Sequence, residues 1–189
     1  MKKLTCAVLG YGNRGEIYAK YANACPNELS VIAAIDPSDF RLGLAKAAHG
    51  IADNMLFKSL DDFIASGVRC DFVINGTMDQ AHYETTIKLL ENNFDILLEK
   101  PVTGNPDELL HIERLAKEKG RRVVVCHVLR YTPFYSEIKK SLDSGELGRI
   151  MNMQLNEHVG MAQGSASRSS RSATRAPRRS TNARSMPGG

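Results

Sequence analysis

The sequence predicts an α/β domain built on a doubly wound parallel sheet, and three observations predict it. Short apolar runs alternate with longer segments of helical period. The connections between them are short, so successive strands must be linked through helices packed on the sheet. The first apolar run, Leu4 to Leu9, lacks the in–out alternation of a half-exposed strand and suits one buried on both faces.

The elements follow in order. "LTCAVL" is the first strand, and "EIYAKYANAC" the first helix, with Ile17, Tyr18, Tyr21 and Ala22 on one face and Pro26 as its stop. "LSVIAAID" is a second buried strand ending at Asp36, and "FRLGLAKAAHG" a helix closed by Gly50. In "SLDDFIASG", Ser59 is the cap and acidic residues fill the first turn. "CDFVINGT" is a strand, "DQAHYETTIKLLENN" a helix with Ala81, Ile87 and Leu90 inward, and "FDILLE" the next strand. The helix after it has Asn105 as cap, Pro106 at its first position, Asp107 and Glu108 in its first turn, and Gly120 past its end. "RRVVVCHVL" returns to strand, which closes a domain of residues 1–125.

Residues 126–159 read as the start of a second, α+β domain. Thr132 and Pro133 begin a helix that stops at Gly145, and "RIMNMQLNEHV" alternates as a half-exposed strand. Residues 160–189 carry no apolar periodicity and are expected to be disordered.

Composition narrows the class. The 189 residues suffice for one domain and part of another, and 42% hydrophobic content is ordinary for a globular chain. Gly10 and Gly12 interrupt the early apolar run before it could serve as a signal core, and no segment approaches the ~20 apolar residues of a membrane span. Cys6, Cys25, Cys70 and Cys126 are scattered without metal-ligand spacing, which favours reduced thiols and a cytoplasmic setting over structural zinc. The net charge of +4 comes from the tail. Six of the 25 basic residues lie there, all arginine, leaving 19 against 21 acidic residues in 1–159, a net of −2.

The first strand–helix junction carries the chemistry. In Gly10-Tyr11-Gly12-Asn13-Arg14-Gly15, the first glycine permits the tight turn, the second lets a pyrophosphate approach the backbone, and the third lets helix and strand pack closely. Phosphates then lie at the helix N-terminus. Asp36 stands 21 residues after Gly15 at the end of the second strand, where a ribose 2′-OH needs an acceptor. The six turn residues and Asp36 are therefore candidate cofactor ligands in a Rossmann arrangement. Asp36 repels a 2′-phosphate, so NAD is expected, with NADP as the alternative because Arg41 lies five residues on.

Strand C-terminal ends line the crevice of such a sheet. That puts Thr77, Met78 and His82 near the cofactor, with His82 either beside the nicotinamide ribose or an ordinary surface-helix histidine. It also puts Glu99 and Lys100 on the same rim, ahead of Pro101. A lysine there can reach a substrate hydroxyl and relay its proton as hydride leaves.

Together "AVLGYGNRG", "GTMDQAH", "EKP" and "LRYTPF" resemble the Gfo/Idh/MocA oxidoreductases, named for glucose–fructose oxidoreductase and inositol dehydrogenase, over residues 4–159. The resemblance implies a Rossmann domain followed by an α/β domain whose open sheet forms the substrate site and often a dimer face. It implies NAD(P)-dependent oxidation of a sugar, inositol or related polyol, and it matches Lys100 to the family's catalytic lysine. Full-length relatives can be homo-oligomers, and no membrane partner is implied.

Family members continue beyond this length, so the resemblance also implies a truncated, impaired chain. Relatives with "NEHVG" continue with an aromatic and Trp-His, whereas "MAQ" follows here. ATG-GCN-CAR read one base later permits Trp-His-Lys, so a shifted reading frame accounts for the Ser/Arg/Pro tail. Two other readings compete: a nucleotide-binding module without turnover, and nucleic-acid binding through the arginine tail. The mildly acidic folded part offers nucleic acid no basic patch, which ranks that reading last.

Overall fold

A computed structural model describes residues 2–156, and the chain divides into two compact units after Lys139. In the first unit, six parallel strands run in the order β3-β2-β1-β4-β5-β6. They are β1 (Leu4–Leu9), β2 (Leu29–Ile35), β3 (Leu56–Phe57), β4 (Phe72–Asn75), β5 (Asp95–Leu98) and β6 (Val123–Val125). The order reverses between β1 and β4, and that switch point is where a doubly wound sheet opens a crevice beyond its strand ends.

The helices are α1 (Asn13–Ala19), α2 (Tyr21–Ala24), α3 (Asp39–His49), α4 (Leu60–Ala65), α5 (His82–Glu91), α6 (Pro106–Lys119) and α7 (Pro133–Asp143). Strand alternation sorts the core between the two faces. Cys6, Val8, Ala34 and Ile74 meet Ala19, Ala22, Leu42 and Ala45 of the first three helices. Ala7, Leu9, Val73, Ile96 and Leu98 meet Phe63, Leu89, Leu90, Ile112 and Ala116 of the next three. Each fully buried large side chain, such as Phe63 or Leu89, contributes on the order of 1.5–3 kcal/mol.

Local signals fix the element ends. The Ser38, Ser59 and Asn105 side chains accept backbone N–H groups of Arg41, Asp62 and Asp107 at the starts of α3, α4 and α6. Gly50 and Gly120 end α3 and α6 in the left-handed conformation.

Three expectations change. The first helix breaks at Lys20 into α1 and α2, and Gly15, Ala19 and Ala22 form its inner face. Ile17 and Tyr21 are about half exposed instead, Tyr21 donating its hydroxyl to Glu28. The two-residue β3 was not foreseen, being too short to show any period. The expected strand from Ile150 is absent over its described part, where residues 150–156 have no regular structure and are exposed. A strand needs a ladder partner, and β6 is the last strand among the described residues. The tail expected to be disordered lies outside the described residues.

Candidate functional site

The crevice at the C-terminal strand ends begins with the glycine turn. Gly10 has φ +80°, and a Cβ on it would lie 2.8 Å from the Gly76 carbonyl oxygen. A Cβ on Gly15 would lie 2.1 Å from the Gly10 oxygen and 3.1 Å from Val8. Any side chain there would push α1 off the sheet. Gly12 differs, because a Cβ on it would meet only the Arg41 guanidinium, 3.7 Å away. Its backbone is otherwise bare and precedes the first turn of α1, where a pyrophosphate would be held. These residues fit a dinucleotide.

Asp36 is 1% exposed, and the reason is local. One oxygen accepts the Tyr11 backbone N–H at 2.9 Å and the other the Ser38 N–H at 2.9 Å, while an Arg41 guanidinium nitrogen lies 3.5 Å away. Asp36 thus braces the glycine turn from β2. Each oxygen keeps a second lone pair, and Arg41, half exposed, must swing aside before a ribose hydroxyl can use it. Tyr11 donates its backbone N–H to Asp36. Its ring is buried, and its hydroxyl lies 2.9 Å from His49 Nε2. Asn13 is exposed and Arg14 half-buried on the first turn of α1.

On the other side of the switch point lies the loop after β4. Asn75, fully buried at the strand end, fixes this loop. Its Oδ1 accepts the Thr77 hydroxyl at 2.9 Å, and its Nδ2 donates to Thr85 at 2.8 Å. Met78 is 74% exposed. His82 is neither a surface residue nor open to the crevice. It is 0% exposed, with Nδ1 2.6 Å from the Pro101 carbonyl oxygen and Nε2 3.1 Å from that of Thr77. Both ring nitrogens face backbone carbonyls and not the open crevice.

Glu99 and Lys100 directly follow β5 and part company. Glu99 turns inward, 6% exposed, accepting the Tyr18 hydroxyl at 2.6 Å and standing 3.4 Å from Arg14 Nε. Burial, then the bond to Glu99, push the Tyr18 phenol well above its usual range. Burial likewise raises the Cys126 thiol beside them. Lys100 turns outward, exposed, and makes no ion pair among the described residues. It borders a cleft of about 270 Å³ with Cys126, His127, Val128, Leu129 and Arg130. Asn75 and the Tyr18–Glu99 bond were missed from sequence, where Tyr18 reads as core and Asn75 as the polar end of a strand. Among the described residues no group of His, Cys, Asp and Glu could hold a metal, and no helix is long and apolar enough to cross a membrane.

Comparison with known proteins places the chain. Residues 4–127 match the Gfo/Idh/MocA family, an oxidoreductase family with an NAD-binding Rossmann fold. An inositol 2-dehydrogenase of Corynebacterium glutamicum is 27% identical over 154 residues, covering 81% of this chain and 45% of the relative. A scyllo-inositol 2-dehydrogenase (NAD+) of Bacillus subtilis is 30% identical over 152 residues, covering 78% and 42%. The chain thus spans less than half the length of these curated relatives. Two solved structures share the fold. The WlbA dehydrogenase from Bordetella pertussis, in complex with NADH and UDP-GlcNAcA, has a TM-score of 0.72 at 22% identity, covering 79% of this chain and 42% of that one. The scyllo-inositol dehydrogenase from Lactobacillus casei, with NAD(H) and scyllo-inositol bound, has a TM-score of 0.72 at 20% identity, covering 79% and 43%. The family match covers more than half of the sequence, and the chain belongs to the Gfo/Idh/MocA oxidoreductases, whose cofactor is NAD.

Proposed function

We propose that this chain is the cofactor-binding part of an NAD-dependent dehydrogenase that oxidises one hydroxyl of a sugar, inositol or related polyol, with Lys100 as its proton-transferring residue. The observation that carries the reading is the opposite orientation of two adjacent residues on one strand end. Glu99 is spent on Tyr18 and Arg14, while Lys100 makes no ion pair among the described residues and stands at an open cleft on the crevice rim. NAD supplies the hydride acceptor. The glycine turn and the first turn of α1 hold its phosphates, Asp36 takes the adenosine ribose once Arg41 moves, and Thr77 borders the nicotinamide half. Asp36 next to that ribose disfavours a 2′-phosphate, so NAD binds more tightly than NADP. Lys100 relays the proton of the substrate hydroxyl from the cleft to solvent. The inositol dehydrogenases among the relatives support the polyol as substrate class. Four unpaired cysteines support a reducing, cytoplasmic setting.

NADH formation across a panel of inositols and sugars, alongside titration with NADH, tests this. In a full-length relative, changing the lysine that matches Lys100 to Met should lower turnover by about 100-fold or more and leave NADH affinity within about twofold, because its work is done in the transition state. NADH affinity falling in step with turnover would make Lys100 a cofactor ligand instead. Tight NAD binding with no polyol turnover would favour the binding module. Tighter binding of NADP would sink the role given to Asp36.

A further inference from the structure

His82 is the one fully buried histidine of the described residues, and its two ring nitrogens face backbone carbonyls on two sides of the crevice. It is the first residue of α5, and its ring lies between two loops. One is the loop after β4, through the Thr77 carbonyl; the other is the loop after β5, through the Pro101 carbonyl, directly after Lys100. Those loops are joined at their base by the Glu99 N–H, which donates to the Asn75 carbonyl at 3.0 Å. Beyond that point the strands have ended, and the His82 ring is the next link between them. Both partners are carbonyl oxygens, which accept, and the shorter contact runs from Nδ1 to Pro101, so that bond joins the start of α5 and the loop before it to the Lys100–Pro101 segment.

We propose that His82 is a positioning residue that ties the loop carrying Thr77 to the loop carrying Lys100, so that the two sides of the nicotinamide end are held as one body. The inference rests on the cofactor reading above. It departs from a direct cofactor contact, since a ring that is 0% exposed has no surface to offer a ligand. Losing the tie frees the Lys100–Pro101 segment from the Thr77 loop. The adenine end is untouched, because Asp36, Arg41 and the glycine turn have their own bracing. The effect therefore falls on one half of the dinucleotide, and a general loss of structure would not discriminate in that way.

The test compares two probes on the whole chain, NADH for both halves of the site and AMP for the adenine half alone. His82→Ala should weaken NADH about tenfold, the equivalent of one lost buried hydrogen bond, with AMP within about twofold. His82→Asn carries its amide where Nδ1 stood and should recover most of the loss. His82→Gln carries its amide where Nε2 stood and should not. If His82→Ala fails to fold, the contrast between the Asn and Gln variants carries the test. Equal weakening of AMP and NADH, unchanged NADH affinity, or Asn no better than Gln would each overturn the positioning role. A wild-type chain that binds AMP and NADH not at all would overturn the cofactor reading first, and this proposal with it.

Discussion

The two ends of the sheet both carry charge, and they use it differently. At the N-terminal ends of the strands, Asp71 accepts the Thr5 N–H and hydroxyl, both at 2.8 Å, and pairs with Lys2. Asp95 accepts the Arg122 N–H at 3.1 Å and its guanidinium at 2.8 Å. Both carboxylates are saturated by neighbouring strands, and they lace β1 to β4 and β5 to β6. At the C-terminal ends, Asp36 and Glu99 are likewise engaged by neighbouring elements, but Lys100 makes no ion pair among the described residues and borders a cleft. A charged strand end is thus no sign of function by itself. The informative residue is the one whose partners are missing beside neighbours whose partners are all present.

That contrast can be broken most severely at the glycine turn. Gly15→Ala places a methyl 2.1 Å from a backbone oxygen that cannot yield without moving β1's exit. It should cost about 3 kcal/mol or more and abolish NADH binding. Urea unfolding and NADH titration check both; a variant of near-native stability that binds NADH would show that α1 tolerates displacement.

A smaller effect is expected where the rim meets the core. Tyr18→Phe removes a hydroxyl that donates to the buried Glu99 and leaves that carboxylate with Arg14 alone. It should lower stability by about 1.5–3 kcal/mol, the range for a hydrogen bond to a charged group. Because Glu99 also pairs with Arg14 on the first turn of α1, where the phosphates would lie, NADH binding should weaken too, which isothermal titration would read. Stability lost with cofactor affinity intact would place Glu99 with Asp71 and Asp95, as a purely structural carboxylate.

What the sequence disclosed of this molecule, it disclosed through local patterns. The glycine turn, the caps of α4 and α6 and the 21-residue spacing to Asp36 are relations within one βαβ unit, and each stands where the pattern put it. The Tyr18–Glu99 bond joins residues 81 apart, and the His82–Pro101 contact joins residues 19 apart across two loops. No helical or strand period encodes such pairs. His82 is placed near the crevice by following a strand's C-terminal end, which says nothing of what folds over it. The expected strand at Ile150 failed for the opposite reason. Its alternation was legible, but alternation describes a face and cannot supply the neighbouring strand.

The smallest expected effect belongs to the N-terminal end, and it is an effect of pH. The Thr5 backbone N–H first, then the Thr5 hydroxyl and Lys2, hold the Asp71 carboxyl at about 2, against about 3.9 for an unperturbed aspartate. The folded state thus binds this proton less readily than the unfolded one, so stability falls as pH falls. The contribution of Asp71 is complete above pH ~4 and is lost between there and pH ~2. Asp71→Asn imitates the protonated side chain at every pH. Its urea midpoint should therefore lie below that of the wild type at pH 6, and the gap should narrow steadily as both are titrated toward pH 2. NADH affinity at pH 7 should not change, since Asp71 lies at the far end of β4 from the crevice. A gap that stays constant with pH would show that the Thr5 contacts do not depend on the charge. A loss of NADH binding would show that the two ends of the sheet are not separable, and the contrast between them would fall.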